Sequence, residues 1–245
     1  MDITPDLHVA RIATRDPATI RVFQRHGIDF CCGGKRPLAE ACTEHGVDFD
    51  TLRDELATAA AGPGEAERDW AGAPLGELAD HIVERFHAAL REDLPRLAMM
   101  VDKVVAVHGD KHPEVLPALG RTFHALRAEL EAHMPKEEHV LFPYAKELER
   151  LKAAGGPFAG SPFGSVRTPI GVMEDEHDVA ARALAELRRL TDGFEPPAGA
   201  CTTFCGLYHG LAELESDTHR HIHLENNVLF PRAEALEAEL TRAAS

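Results

Sequence analysis

Basic residues are the minority charge in this chain: 26 Lys and Arg face 41 Asp and Glu, a formal net charge of −15 over 245 residues. A surface of that sign repels phosphate backbones and anionic bilayers, which argues against nucleic acid or a membrane as the main partner. Cysteine is scarce. The five present are an odd number with two adjacent, which does not suit a disulfide framework and reads as reduced thiols. No apolar run approaches the roughly 20 residues that a spanning helix needs. The start, Met1-Asp2-Ile3-Thr4-Pro5-Asp6, lacks the basic and apolar regions of a secretory signal, so a cytoplasmic location is expected. Aromatic residues make up only 6%.

What the chain has instead is helix-forming residues, with Ala, Leu, Glu and Arg recurring throughout. Residues 1–60 read as a small helical unit. Asp16-Pro17 offers an N-cap and first-turn proline for a helix to Arg25, stopped by Gly27; others run from Pro37 to His45, closed by Gly46, and from Asp50 to Ala61. So short a unit buries little by itself and is expected to lean on a partner or on the larger domain. Residues 61–74 read as a linker. Residues 75–245 carry four amphipathic helices, over 75–107, 114–152, 168–191 and 200–241, with apolar intervals of three, four and seven. The Gly/Pro-rich stretch 155–165 separates them into two hairpins. The expected fold is all-α: a four-helix bundle with a small N-terminal helical domain.

The strongest pattern is a repeat. His133-Met134-Pro135-Lys136-Glu137-Glu138-His139-Val140-Leu141-Phe142-Pro143 recurs 88 residues later as His221-Ile222-His223-Leu224-Glu225-Asn226-Asn227-Val228-Leu229-Phe230-Pro231. Residues four apart share a helix face, with about 5–6 Å between Cβ atoms, so an imidazole and a carboxylate spaced this way can hold a metal. Two copies supply two of each to a bundle interior, as in dinuclear helical-bundle sites. Repeat-related positions on the preceding helices carry His87 and His177, 90 residues apart.

Helical phase, at about 100° per residue, separates these from the rest of the fifteen histidines. His87, His133, His177 and His221 share apolar faces with Glu137 and Glu225. His81, His124, His139, His209, His219 and His223 fall off those faces and are expected at the surface, and Glu138 yields to Glu137 for the same reason. A lone core-facing histidine is usually a hydrogen-bonded structural residue. Six inward polar groups in repeat-related positions would cost several kcal/mol to bury without partners, and point to a metal. Imidazole and carboxylate donors without nearby thiolates suit iron or manganese. Glu84 and Glu174, each in Glu-x2-His, are runner-up ligands. Glu129, one turn before His133, and Glu176, beside His177, are expected as outer hydrogen-bond partners of the ligands or as proton relays.

Taken together, Phe30-Cys31-Cys32-Gly33-Gly34-Lys35, His133-Met134-x-Lys136-Glu137-Glu138 with Leu141-Phe142-Pro143, Met173-Glu174-x-Glu176-His177-Asp178, Cys201-Thr202-Thr203 and the second repeat copy resemble the repair-of-iron-centres family over nearly the whole chain. The resemblance implies a hemerythrin-like bundle with two non-haem iron ions, oxo- and carboxylate-bridged. Carried onto matching positions, the ligands are His87, His133, Glu137, His177, His221 and Glu225, with the glutamates bridging. It also implies support for repair of iron–sulfur clusters after oxidative or nitrosative stress, with damaged or apo iron–sulfur proteins as recipients of iron and nitric oxide or oxygen as small ligands. A di-iron nitric oxide reductase or peroxidase, and an oxygen or nitric oxide sensor, are the alternatives. A homodimer is compatible with the sequence.

Adjacent Cys31 and Cys32 can bond to each other only through a strained ring, so the dithiol is the expected resting form. Lys35, Arg36 and the helix N-terminus near Pro37 are expected to lower a thiol pKa. In the family this pair belongs to a small domain thought to support redox or transfer chemistry at the iron. Cys42, Cys201 and Cys205 read as ordinary helix residues. Two departures from the family pattern stand out. Pro135, inside the first His-x3-Glu, is expected to kink that helix and make the two copies unequal. The loop 155–167 is long, and a role as a lid is open.

Overall fold

The computed structural model describes residues 3–61, 69–155 and 158–244. Half of the expected linker, residues 62–68, lies outside the described residues. Every described element is helical, and the one extended contact is an isolated bridge between His8 and Pro37.

The N-terminal segment holds four α-helices where three are expected: α1 (Val9–Arg15), α2 (Ile20–Arg25), α3 (Leu38–His45) and α4 (Phe49–Ala61). α1 escapes sequence periodicity because its seven residues barely complete two turns. Burial of Val9, Ile12 and Ala13, not propensity, fixes it. Asp16 accepts a hydrogen bond from the Ala18 N–H, and Pro17 opens a 3-10 turn (Pro17–Thr19) that runs into α2. Gly27 and Gly46 end α2 and α3 at φ +66 and +65, where a Cβ is disfavoured.

Four long helices follow: α5 over 75–108, α6 over 116–154, α7 (Arg167–Leu190) and α8 over 202–243. None of the described helices is long and apolar enough to cross a membrane. Three contain a π-helical turn: Ile82–His87 in α5, Glu137–Leu141 in α6 and Glu225–Leu229 in α8. The last two occupy equivalent repeat positions, each just ahead of Phe-Pro. A proline offers no N–H to the carbonyl four residues back, and its ring presses on that carbonyl. Widening the turn ahead of Pro143 and Pro231 relieves both problems. Pro135 sits inside α6 without ending it, and the copy that lacks it has the same wide turn.

The chain divides into two compact units. One comprises residues 80–144 and 168–218, with stretches of all four long helices packed as a bundle around Leu94, Phe123, Leu184 and Leu211. The other comprises 1–79, 145–167 and 219–245. Its core joins Phe23, Phe30, Leu38, Leu52 and Leu56 to Ile222 of α8. The short N-terminal helices thus find on α8 the apolar cover they need. Glu149 accepts the Leu75 and Gly76 N–H groups at the start of α5, at 2.8 and 3.0 Å. Buried Glu237 accepts the Val166 N–H and the Ser165 hydroxyl, so the end of the 155–167 loop is anchored to α8.

Candidate metal centre

In the bundle unit, α5, α6 and α7 bring three buried histidines to one carboxylate. His87, at the end of its π turn, and Glu137, at the start of the next, are both 0% exposed. His87 Nε2 lies 3.4 Å and His133 Nε2 3.2 Å from Glu137 Oε2. His177 Nε2 is 3.1 Å from His133 Nε2 and 4.0 Å from Glu137 Oε1. The donor atoms of His133, Glu137 and His177 all lie within 4.8 Å of one another. Two donors bound at about 2.1 Å and at right angles on one ion stand about 3 Å apart, close to the shorter spacings here. A carboxylate buried this completely costs several kcal/mol unless a positive charge or strong hydrogen bonds compensate it. The donor set fits a divalent cation.

The far sides of two rings are held by further carboxylates. His87 Nδ1 bonds Glu138 Oε1 at 2.6 Å, and His133 Nδ1 bonds Glu176 Oε2 at 2.8 Å. An ionised carboxylate only accepts, so each Nδ1 carries the hydrogen and each Nε2 turns a lone pair toward Glu137. Arg91 donates to Glu138 at 2.6 Å, and Lys136 pairs with Glu176. Burial works to raise both carboxyls. Hydrogen bonds from Arg91 and His87 at Glu138, and from Lys136 and His133 at Glu176, outweigh it and hold both below the ordinary carboxylate range.

Glu138 is a residue that periodicity sets aside. The π turn begins at Glu137, so the 100° frame fails from there on, and both glutamates serve the same cluster from adjacent positions. Glu129, expected beside His133, is exposed. Of the runner-up ligands, Glu84 is exposed and Glu174 half-buried.

In the other unit, His221 and Glu225 are buried one turn apart on α8, with His221 Nε2 2.8 Å from Glu225 Oε1. His223, expected at the surface, is 2% exposed. Its Nδ1–H donates to the Phe30 carbonyl at 3.1 Å, and its Nε2 faces the Thr14 hydroxyl at 3.3 Å. Burial pushes this imidazole down to about 4. α8 has a second buried face here because the N-terminal helices cover it, with the Phe30 ring 5.5 Å from that of His223.

The cysteine pair lies in the same unit. Cys31 and Cys32 are free thiols with Sγ atoms 3.8 Å apart. The Asp29 carboxylate accepts the N–H groups of Cys31, Cys32 and Gly33, at 2.9, 3.0 and 2.7 Å, and the Cys31 thiol at 3.2 Å. Asn227, on the Glu225–Leu229 turn, donates to the Cys31 carbonyl at 2.9 Å. The expected lowering of the thiol pKa is reversed at Cys31. Its hydrogen bond with Cys32, its burial and the negative Asp29 push it well above the ordinary value of 9.0. Lys35 and Arg36 are exposed, and Arg36 pairs with Glu44. Cys42 is buried in α3 and Cys205 exposed on α8; Cys201 precedes α8 and lies 3.4 Å from His108 Nε2.

A helical bundle that gathers imidazoles around a buried carboxylate, with two of them backed by a further carboxylate, defines a cation-binding bundle protein. Residues 78–233 match the family described as "Hemerythrin HHE cation binding domain", and residues 6–60 match ScdA_N, a domain of unknown function (DUF542). The chain is 42% identical to the iron–sulfur cluster repair protein YtfE of Cronobacter sakazakii and 41% identical to those of Salmonella choleraesuis and Salmonella newport. Each match covers 95% of this chain and 98% of the relative. The chain belongs to the hemerythrin HHE family, with these iron–sulfur cluster repair proteins as its relatives.

Proposed function

We propose that this protein holds two iron ions in its bundle and gives up iron to rebuild iron–sulfur clusters damaged by oxidative or nitrosative stress. The observation that carries this reading is the convergence of His87, His133 and His177 on the buried Glu137, with His221 and Glu225 repeating the His133–Glu137 spacing. The residues that would hold the ions are His87, His133, Glu137 and His177 in one unit, and His221 and Glu225 in the other. When bound, iron here is the metal that a damaged cluster lacks. Iron held only by these imidazoles and carboxylates would keep room for its own release and for a small ligand such as nitric oxide or oxygen.

The protein's own groups keep the site ready to reload. Glu138 and Glu176 hold the His87 and His133 rings by Nδ1, so their Nε2 atoms stay directed inward. Arg91 and Lys136 keep those carboxylates ionised. Damaged or apo iron–sulfur proteins are the recipients, in keeping with the names of the relatives.

Iron analysis of anaerobically loaded wild type, Glu137→Ala and Glu225→Ala tests the ligand set. The wild type is expected to hold about two iron ions per chain. Each variant is expected to hold no more than about one, with helicity by circular dichroism preserved. Full loading of both variants would remove the assignment.

A further inference from the structure

In the unit formed by residues 1–79, 145–167 and 219–245, a cavity of about 460 Å³ opens between α1, the loop after Cys32 and the Glu225–Leu229 turn. That volume lies in the range of small-molecule sites. α1 lines it with Arg11, Thr14 and Arg15, the cysteine loop with Lys35 and the wide turn with Asn227; His8 completes the basic wall, and Asp69 is its acid.

This concentration of positive charge runs against a chain whose net charge is −15. Arg11 and Arg15 are like charges one turn apart, a pairing that weakens a helix, on a helix only seven residues long. Both side chains are exposed, and neither is ion-paired among the described residues. Folding gains nothing from the pair, whereas an anionic ligand does. Each guanidinium offers a planar fork that matches a carboxylate or a phosphate. Forks one helical turn apart, about 6 Å, suit two anionic groups at a similar spacing.

We propose that this cavity binds a small dianion whose two carboxylate or phosphate groups stand about one helical turn apart, seated by Arg11, Arg15 and Lys35 against the loop that carries Cys31 and Cys32. The site is built from residues outside the candidate metal ligands, so the inference stands apart from the iron reading. A ligand here touches both the cysteine loop, through Gly34 and Lys35, and the turn that carries Glu225, through Asn227.

The chain's single tryptophan supplies the readout, because Trp70 lies between Asp69 and Ala71, both on the cavity wall. Trp70 fluorescence is followed on the purified full-length protein, at constant ionic strength, during titration with glutarate, with 1,3-propanediol bisphosphate and with acetate. The expected result is a saturable change with at least one dianion, at least about tenfold tighter than with acetate. The preferred dianion shows whether carboxylate or phosphate is the natural chemistry. Arg11→Glu with Arg15→Glu weakens that binding by about tenfold or more, and Arg11→Gln weakens it in the same direction. Arg53→Glu, on α4 and off the wall, leaves it unchanged. Absence of saturation by either dianion, an equal response to acetate, or indifference to the α1 charge reversal overturns the proposal. Iron content measured on the same samples tells whether the metal reading stands, independently of the dianion result.

Discussion

Glu138 and Glu176 hold the far nitrogens of His87 and His133. Glu138→Gln keeps the shape but removes the charge that Arg91 and His87 hold in place. Its iron affinity, measured by competition with a chelator, is expected to fall about 10- to 100-fold, with thermal unfolding nearly unchanged. An unchanged affinity would reduce Glu138 to a surface ion-pair partner of Arg91. Of these two glutamates, Glu176 is legible from its place beside His177, whereas Glu138 is not. The 100° rule assigns one inward residue per turn, and the π turn at Glu137–Leu141 breaks that rule where the chemistry sits.

The two thiols are similarly unequal. Because the folded protein favours protonated Cys31, its contribution to stability is complete below the ordinary thiol value of 9.0 and is lost as pH rises through the higher folded value. Between about pH 7 and 9.0, iodoacetamide is therefore expected to label half-buried Cys32 first, as read by peptide mass spectrometry. Equal labelling rates would contradict the Asp29 clamp. Charge counting near Cys31 gives the wrong sign because the thiol is buried and Asp29, two residues earlier, folds back onto it.

At the scale of elements, the four long helices follow from the spacing of their apolar residues, and their ends fall within two residues of the expected ones. Periodicity does not reveal α1, nor the second buried face of α8. Each depends on what another part of the chain places against it, which no local pattern encodes. Phe30 is the residue that joins these parts: it is 1% exposed and packs on His219 and His223. Phe30→Ala is expected to destabilise the unit that contains α1–α4 by about 3–5 kcal/mol. Urea unfolding would show the loss, and limited proteolysis would show earlier cutting within the first 60 residues. A loss below about 1 kcal/mol would mean that α1–α4 do not depend on this ring for their hold on α8.

For the whole molecule, composition excludes more than it identifies. The acidic balance, the absence of a disulfide framework and the helix-rich composition fit many bundles. Function becomes legible only where His133–Glu137 and His221–Glu225 repeat with His87 and His177 at matching offsets, a coincidence that core packing alone does not require. The N-terminal segment was legible as helical but not as a neighbour of the Glu225 turn. That proximity, through Asn227 and the Cys31 carbonyl, exists only in the folded chain.

The claim that the bundle carries transferable iron is tested most directly by mixing the anaerobically loaded protein with an apo iron–sulfur acceptor, sulfide and thiol, and then separating the two proteins. Iron is expected to leave this protein in proportion to the cluster that the acceptor regains, and Glu137→Ala protein is expected to restore no more than about half as much. Iron that stays with the loaded protein while the acceptor remains without a cluster would contradict it.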